Sequence, residues 1–184
     1  MWHLTESLLY LFRHFRSRHV TKLVIPLRIA GIKAYHLTLL SFVFGLLAVW
    51  FLFLSHTLFV IFGVLHLLFD ALDGVLARAT KVTVYGTYFD WASDQTVAVL
   101  LLAKIAFFFP SIFSWVTAFL YVVYLLFFFG SRLQLPPLSA RTIIFLLSFV
   151  GLAYYGIVIA FIFTLYAIAC AYHRTFFRPR RKAM

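Results

Sequence analysis

The chain has 184 residues, of which 65% are hydrophobic and 24 are Phe, and its formal charge is +11. Only 11% of residues are charged, against about 25% in a soluble globular domain. The basic balance comes from a shortage of acids rather than a wealth of polar residues, which excludes a soluble globular domain and argues against a disordered chain or a nucleic-acid binder.

The single Cys170 leaves no disulfide framework and no cysteine-based zinc site. With a mean hydropathy of +1.02, the class that remains is an all-α integral membrane protein. The first element in chain order is predicted over residues 2–22, where Leu4, Leu8, Leu11, Phe12 and Phe15 recur at helical spacing among basic residues. That pattern reads as an amphipathic interfacial helix, ended or redirected by Pro26. Its charge follows the apolar run, opposite to a secretory signal peptide. Apolar runs then follow at 37–54, from 58 to the region of Asp70, at 87–109 stopped by Pro110, and at 112–129 stopped by Gly130. The last run, 142–172, has 31 residues; one helix of that length would be about 46 Å, too long for a single crossing without strong tilt. A turn at 153–156 divides it in two. The expectation is six transmembrane helices preceded by the N-terminal amphipathic helix: a juxtamembrane segment 1–33, a transmembrane catalytic domain 34–173 and a basic tail 174–184.

Six crossings place fifteen of the sixteen Lys and Arg residues on one side of the membrane. The positive-inside rule makes that side cytoplasmic, together with both termini. The loops on the other side carry no charge, and Lys104, within the third run, is the one exception.

Four of the five acids fall in one apolar stretch: Asp70, Asp73, Asp90 and Asp94, with Glu6 apart. Asp70 and Asp73 are i, i+3 and share a helix face that Gly74 and Ala77 leave nearly bare; Gly86, Asp90 and Asp94 share another. Two consecutive antiparallel helices can therefore aim both carboxylate pairs at one cavity. Each intramembrane Asp costs roughly 2.5–3.5 kcal/mol on insertion scales, and four neighbouring carboxylates cannot all ionise without cations. Arg78 supplies one charge, and two divalent ions would supply four. Oxygen ligation without His or Cys suits Mg²⁺ or Mn²⁺, the ions with which carboxylate sites hold diphosphates during phosphoryl transfer. Pairing of the acids with Arg and Lys, as a mere lock between helices, explains one or two acids and not four at this spacing.

The pattern Asp-x2-Asp-Gly-x2-Ala-Arg-x7-Gly-x3-Asp-x3-Asp, eight fixed positions in 25 residues, resembles the signature of the CDP-alcohol phosphatidyltransferases. Members often carry Pro-Asn-x-Leu-Thr at the first span, where Ala34-Tyr35-His36-Leu37-Thr38 keeps only Leu-Thr. The resemblance implies a fold of six helices behind an interfacial one, and transfer of a substituted phosphate from a CDP-alcohol such as CDP-diacylglycerol to an acceptor hydroxyl, with CMP released. It implies that Asp70, Asp73, Asp90 and Asp94 ligate two divalent ions, with Asp94 also the catalytic base. It further implies that Asp70, Asp73, Gly74, Ala77, Arg78 and Gly86 line the CDP site. Homodimers are common in the family.

Lys81, Arg132 and Arg141 share the membrane face of the acids and are candidates for an acceptor phosphate. For each, topology and lipid headgroup contact is the stronger reading; Arg141 is the best of the three, because Pro136-Pro137 stiffen its approach. His66 is four residues before Asp70 and could orient it, although packing is the stronger role. Two other chemistries use intramembrane acids. A prenyltransferase would need two Asp-rich motifs far apart and more helices, and a cation or proton transporter has no use for Gly74, Ala77-Arg78 and Gly86.

Overall fold

In the computed structural model, residue 26 and residues 31–80, 83–131 and 140–177 are described. Among them every regular element is a helix: α1 (Ala34–Phe51), α2 (His56–Ala79), α3 (Val84–Phe108), α4 (Ile112–Ser131), α5 (Ala140–Phe149) and α6 (Ala153–Phe177). The expected interfacial helix over 2–22, and residues 178–184 of the basic tail, lie outside the described residues. Three helices, α1, α2 and α3, are long and apolar enough to cross a membrane. The described side chains of α4 and α6 form shorter apolar stretches, Ile112–Leu126 and Ala153–Ala169. The outward side chains include Leu39, Val43, Leu46 and Trp50 of α1 and Ile61, Val64 and Leu68 of α2. A surface of that kind associates with lipid rather than water.

The helix starts follow from local hydrogen bonding. A helix leaves its first backbone N–H groups without intrahelical acceptors. Thr83 Oγ1 accepts from the Gly86 N–H at 3.1 Å at the start of α3, and Ser111 Oγ accepts from the Ser114 N–H at 3.1 Å at the start of α4. Both are N-cap to N3 bonds. At α1 the direction is reversed: the Lys33 N–H donates to His36 Nδ1 at 3.3 Å, as the third residue of a capping box does. The turn into α2 falls at residues 52–55, and His56 and Thr57, which lie between the two apolar runs of the sequence, open the helix.

The turn between α5 and α6 corrects the expectation. Gly151 adopts φ +79°, the Gly151 N–H donates to the Ser148 carbonyl at 3.1 Å, and the Leu152 N–H donates to the Leu147 carbonyl at 2.8 Å. This is a Schellman C-cap, in which glycine takes the left-handed residue without a Cβ penalty. Residues 153–156 form the first turn of α6. A Cβ on Gly156 would lie 3.4 Å from Ile144 Cγ2 and 3.5 Å from Ile144 Cα, ordinary contact distances, so α6 runs beside α5 here with room for a methyl group and little more.

The helices gather into two compact units, Met1–Ala48 with Val60–Asp94, and Val49–Phe59 with Gln95–Met184. In the first, α1 and α2 run antiparallel: Leu37 packs with Val75 and Leu76, and Phe44 stacks on Phe62 and Phe69 at centroid distances of 6.2 and 5.4 Å. In the second, one face of α3 (Val97, Ala98, Leu101, Leu102, Ile105, Ala106) is wholly buried. Phe59 stacks on Phe145 at 5.9 Å. Lys104 donates from Nζ to the Val49 carbonyl at 2.7 Å and also to the Trp50 carbonyl, 5.9 Å from the Trp50 ring centroid.

Candidate metal centre

The acids belong to the first unit, on the C-terminal half of α2 and the N-terminal half of α3. Asp70, Asp90 and Asp94 each offer a carboxylate oxygen within 4.8 Å of the others, and all three are half-buried. They could hold a metal ion: three hard oxygen donors from two helices match the ligand set of a divalent cation. Asp73 stands outside this triad. It is buried, and its Oδ2 has no hydrogen-bond partner. Asp90 and Asp70 are charged groups near it, and the Thr38 hydroxyl lies beside it. An orphaned buried carboxylate oxygen is expensive unless a cation or a donor meets it, so Asp73 also fits the donor set of a cation or a cationic ligand group.

A cavity of about 660 Å³ adjoins the triad. Its wall contains Asp73, Gly74, Ala77 and Arg78 from α2, and Gly86 and Asp90 from α3. Asp90 thus belongs both to the triad and to the cavity, whereas Asp70 and Asp94 are not in the cavity wall. Gly74 lies under the Arg78 side chain, where a Cβ would be 3.5 Å from Nη1. Gly86 is the third residue of α3, and a Cβ there would come within 2.8 Å of Thr83 Oγ1, the cap of its own helix. A side chain at this position would press on the cap hydroxyl as well as narrow the cavity.

The cavity also contains residues that the motif does not name: Lys33, Tyr35 and Thr38 around the start of α1, Thr80 just past the end of α2, Thr83 at the cap of α3 and Thr87 on α3. The signal for two of them is present in the chain, because Thr83, Thr87, Asp90 and Asp94 recur at steps of four, three and four, along one helix face. Thr80 and Thr87 donate to the carbonyls of Leu76 (2.8 Å) and Thr83 (3.1 Å), each four residues back, leaving their oxygens able to accept from a ligand.

Of the acceptor candidates, Lys81 and Arg132 lie outside the described residues. Arg141 is buried in the first turn of α5 and belongs to the second unit. His66 is buried and bonded to Ser41 of α1: Nδ1 is 2.8 Å from the Ser41 carbonyl and 2.9 Å from its hydroxyl. The chain matches no model of a known protein family and no curated protein.

Proposed function

We propose that this protein is a membrane enzyme of phospholipid synthesis that moves a substituted-phosphate group from a CDP-alcohol, such as CDP-diacylglycerol, to an acceptor hydroxyl and releases CMP. One observation carries this reading. Of the eight motif positions, six line a single cavity and the other two join Asp90 in the acid triad. A candidate cation site that adjoins a cavity with Arg78 and Lys33 in its wall suits a diphosphate-linked donor better than a cation relay, which needs no such cavity.

Asp70, Asp90 and Asp94, with Asp73 beside them, would hold divalent ions, Mg²⁺ or Mn²⁺. Ions bound there balance the diphosphate charge and the charge that builds during phosphoryl transfer. Arg78 pairs with phosphate oxygens through its planar guanidinium. Gly74, Ala77 and Gly86 let the donor approach the backbone, and the threonine hydroxyls with Lys33 offer further polar contacts. Asp94 accepts the proton of the acceptor hydroxyl as its oxygen bonds to the β-phosphorus. The bond from that phosphorus to the CMP oxygen breaks, and CMP leaves. In the same proposal, six helices cross the bilayer, and both termini and the acids lie toward the cytoplasm.

The test is release of CMP from CDP-diacylglycerol by the purified protein, across a panel of acceptors that includes glycerol phosphate, inositol phosphate and serine. Metal-dependent CMP release with at least one acceptor supports the reading. No release with any acceptor, together with cation flux in liposomes, overturns it.

A further inference from the structure

We propose that the Ser41–His66 pair is a positioning device for the acid cluster, which fixes the register of α1 on α2 so that Thr38 stands against Asp73. The proposal rests on reading the acids as a metal centre.

The pairing is reciprocal. The Ser41 hydroxyl donates to the His66 carbonyl at 3.0 Å, and the His66 ring nitrogen Nδ1 lies 2.8 Å from the Ser41 carbonyl. A carbonyl only accepts, so the proton must sit on Nδ1. Both side chains are buried. Within α2, the His66 carbonyl is also the acceptor, four residues back, for the Asp70 N–H. Ser41 is therefore bonded to the same oxygen that anchors the backbone of a triad acid. One turn along α1 from Ser41 lies Thr38, and two turns along α2 from His66 lies Asp73, in the wall of the same cavity.

Among the described residues, α1 and α2 also meet through apolar contacts. Phe44 against Phe62 and Phe69, and Leu37 against Val75 and Leu76, favour contact but not one axial position. In lipid, apolar side chains gain little by preferring one helix over another, and directional polar pairs are what select register. A slip of α1 by one residue shifts it by about 1.5 Å and turns its face by about 100°, which removes Thr38 from Asp73.

The experiment uses the full chain in nanodiscs and reads Mn²⁺ binding by electron paramagnetic resonance, with thermal unfolding in parallel. Ser41→Ala is expected to weaken Mn²⁺ binding by roughly tenfold, within the range seen for residues that orient metal ligands, and Ser41→Thr, which keeps the hydroxyl, to restore it. Thr38→Ala alone is expected to weaken binding, but to add nothing in the Ser41→Ala background, because Thr38 is already displaced there. Unchanged Mn²⁺ affinity in Ser41→Ala, with or without a lower unfolding temperature, overturns the proposal, as do additive losses in the double variant. A wild-type chain that binds no Mn²⁺ removes the metal-centre reading and this proposal together. Binding by wild type that Ser41→Ala leaves intact removes this proposal alone.

Discussion

The Lys104 ammonium donates to the Val49 carbonyl oxygen at 2.7 Å. The last four carbonyls of a helix have no intrahelical donor, and Val49 and Trp50 are in the final turn of α1. A cation at that end meets both the open carbonyls and the negative end of the helix dipole. The Trp50 ring, 5.9 Å away, adds a cation–π contact. Replacing Lys104 with Met keeps the length and loses the donors. The expected cost is about 1.5–3 kcal/mol, the range for hydrogen bonds to a charged group, read as a lower unfolding temperature in detergent, with metal binding retained.

Asp90→Asn and Asp94→Asn each keep the shape of a triad member and remove its charge. CMP release is expected to fall by at least about 100-fold in either variant. Retained activity in both refutes the metal-site assignment. Chelation with EDTA should silence the wild-type protein, and added Mg²⁺ or Mn²⁺ should restore it.

Gly86→Ala places a methyl group 2.8 Å from Thr83 Oγ1, so the cap must shift and the cavity must narrow. Loss of an N-cap costs about 1 kcal/mol. The KM for the CDP-linked donor is expected to rise by roughly tenfold, equivalent to about 1.4 kcal/mol of binding. Thr83→Ser, which keeps the cap oxygen, should leave the unfolding temperature close to that of wild type.

The two glycines around the α5–α6 turn should respond differently. Gly151 has φ +79° and open space around it, so Gly151→Ala is costly for its backbone alone, by about 1 kcal/mol. Gly156 has an ordinary helical conformation and Ile144 beside it, with room for one methyl group. Gly156→Ala is expected to be tolerated, whereas Gly156→Leu should cost about 1–3 kcal/mol through overpacking. Paired thermal unfolding curves separate the two cases.

Local spacing made part of this architecture legible. Apolar run lengths anticipated the helix order, and the step of four between Asp90 and Asp94 anticipated that both join one cluster, whereas the step of three from Asp70 did not bring Asp73 into it. The turn before α6 was misplaced because composition marks both Gly151 and Gly156 but does not report φ. The partner of His66 was not legible either, because Ser41 lies 25 residues away on another helix, while spacing along α2 pointed to Asp70. The role of Lys104 is of the same kind, since its acceptors are more than fifty residues earlier in the chain. The cavity threonines are not legible as ligand contacts from sequence, because hydroxyls in an apolar run bond to their own helix as readily as to a ligand.

Asp90 belongs to the acid triad and to the cavity wall at once. A cation on the triad and a ligand in the cavity would therefore share one carboxylate, and each would alter the field the other meets. Their affinities would be thermodynamically linked, and the linkage reciprocal: whatever factor the cation adds to ligand affinity, the ligand adds to cation affinity. Titrations of each in the presence of the other should return the same coupling factor, and Asp90 is the residue through which it passes.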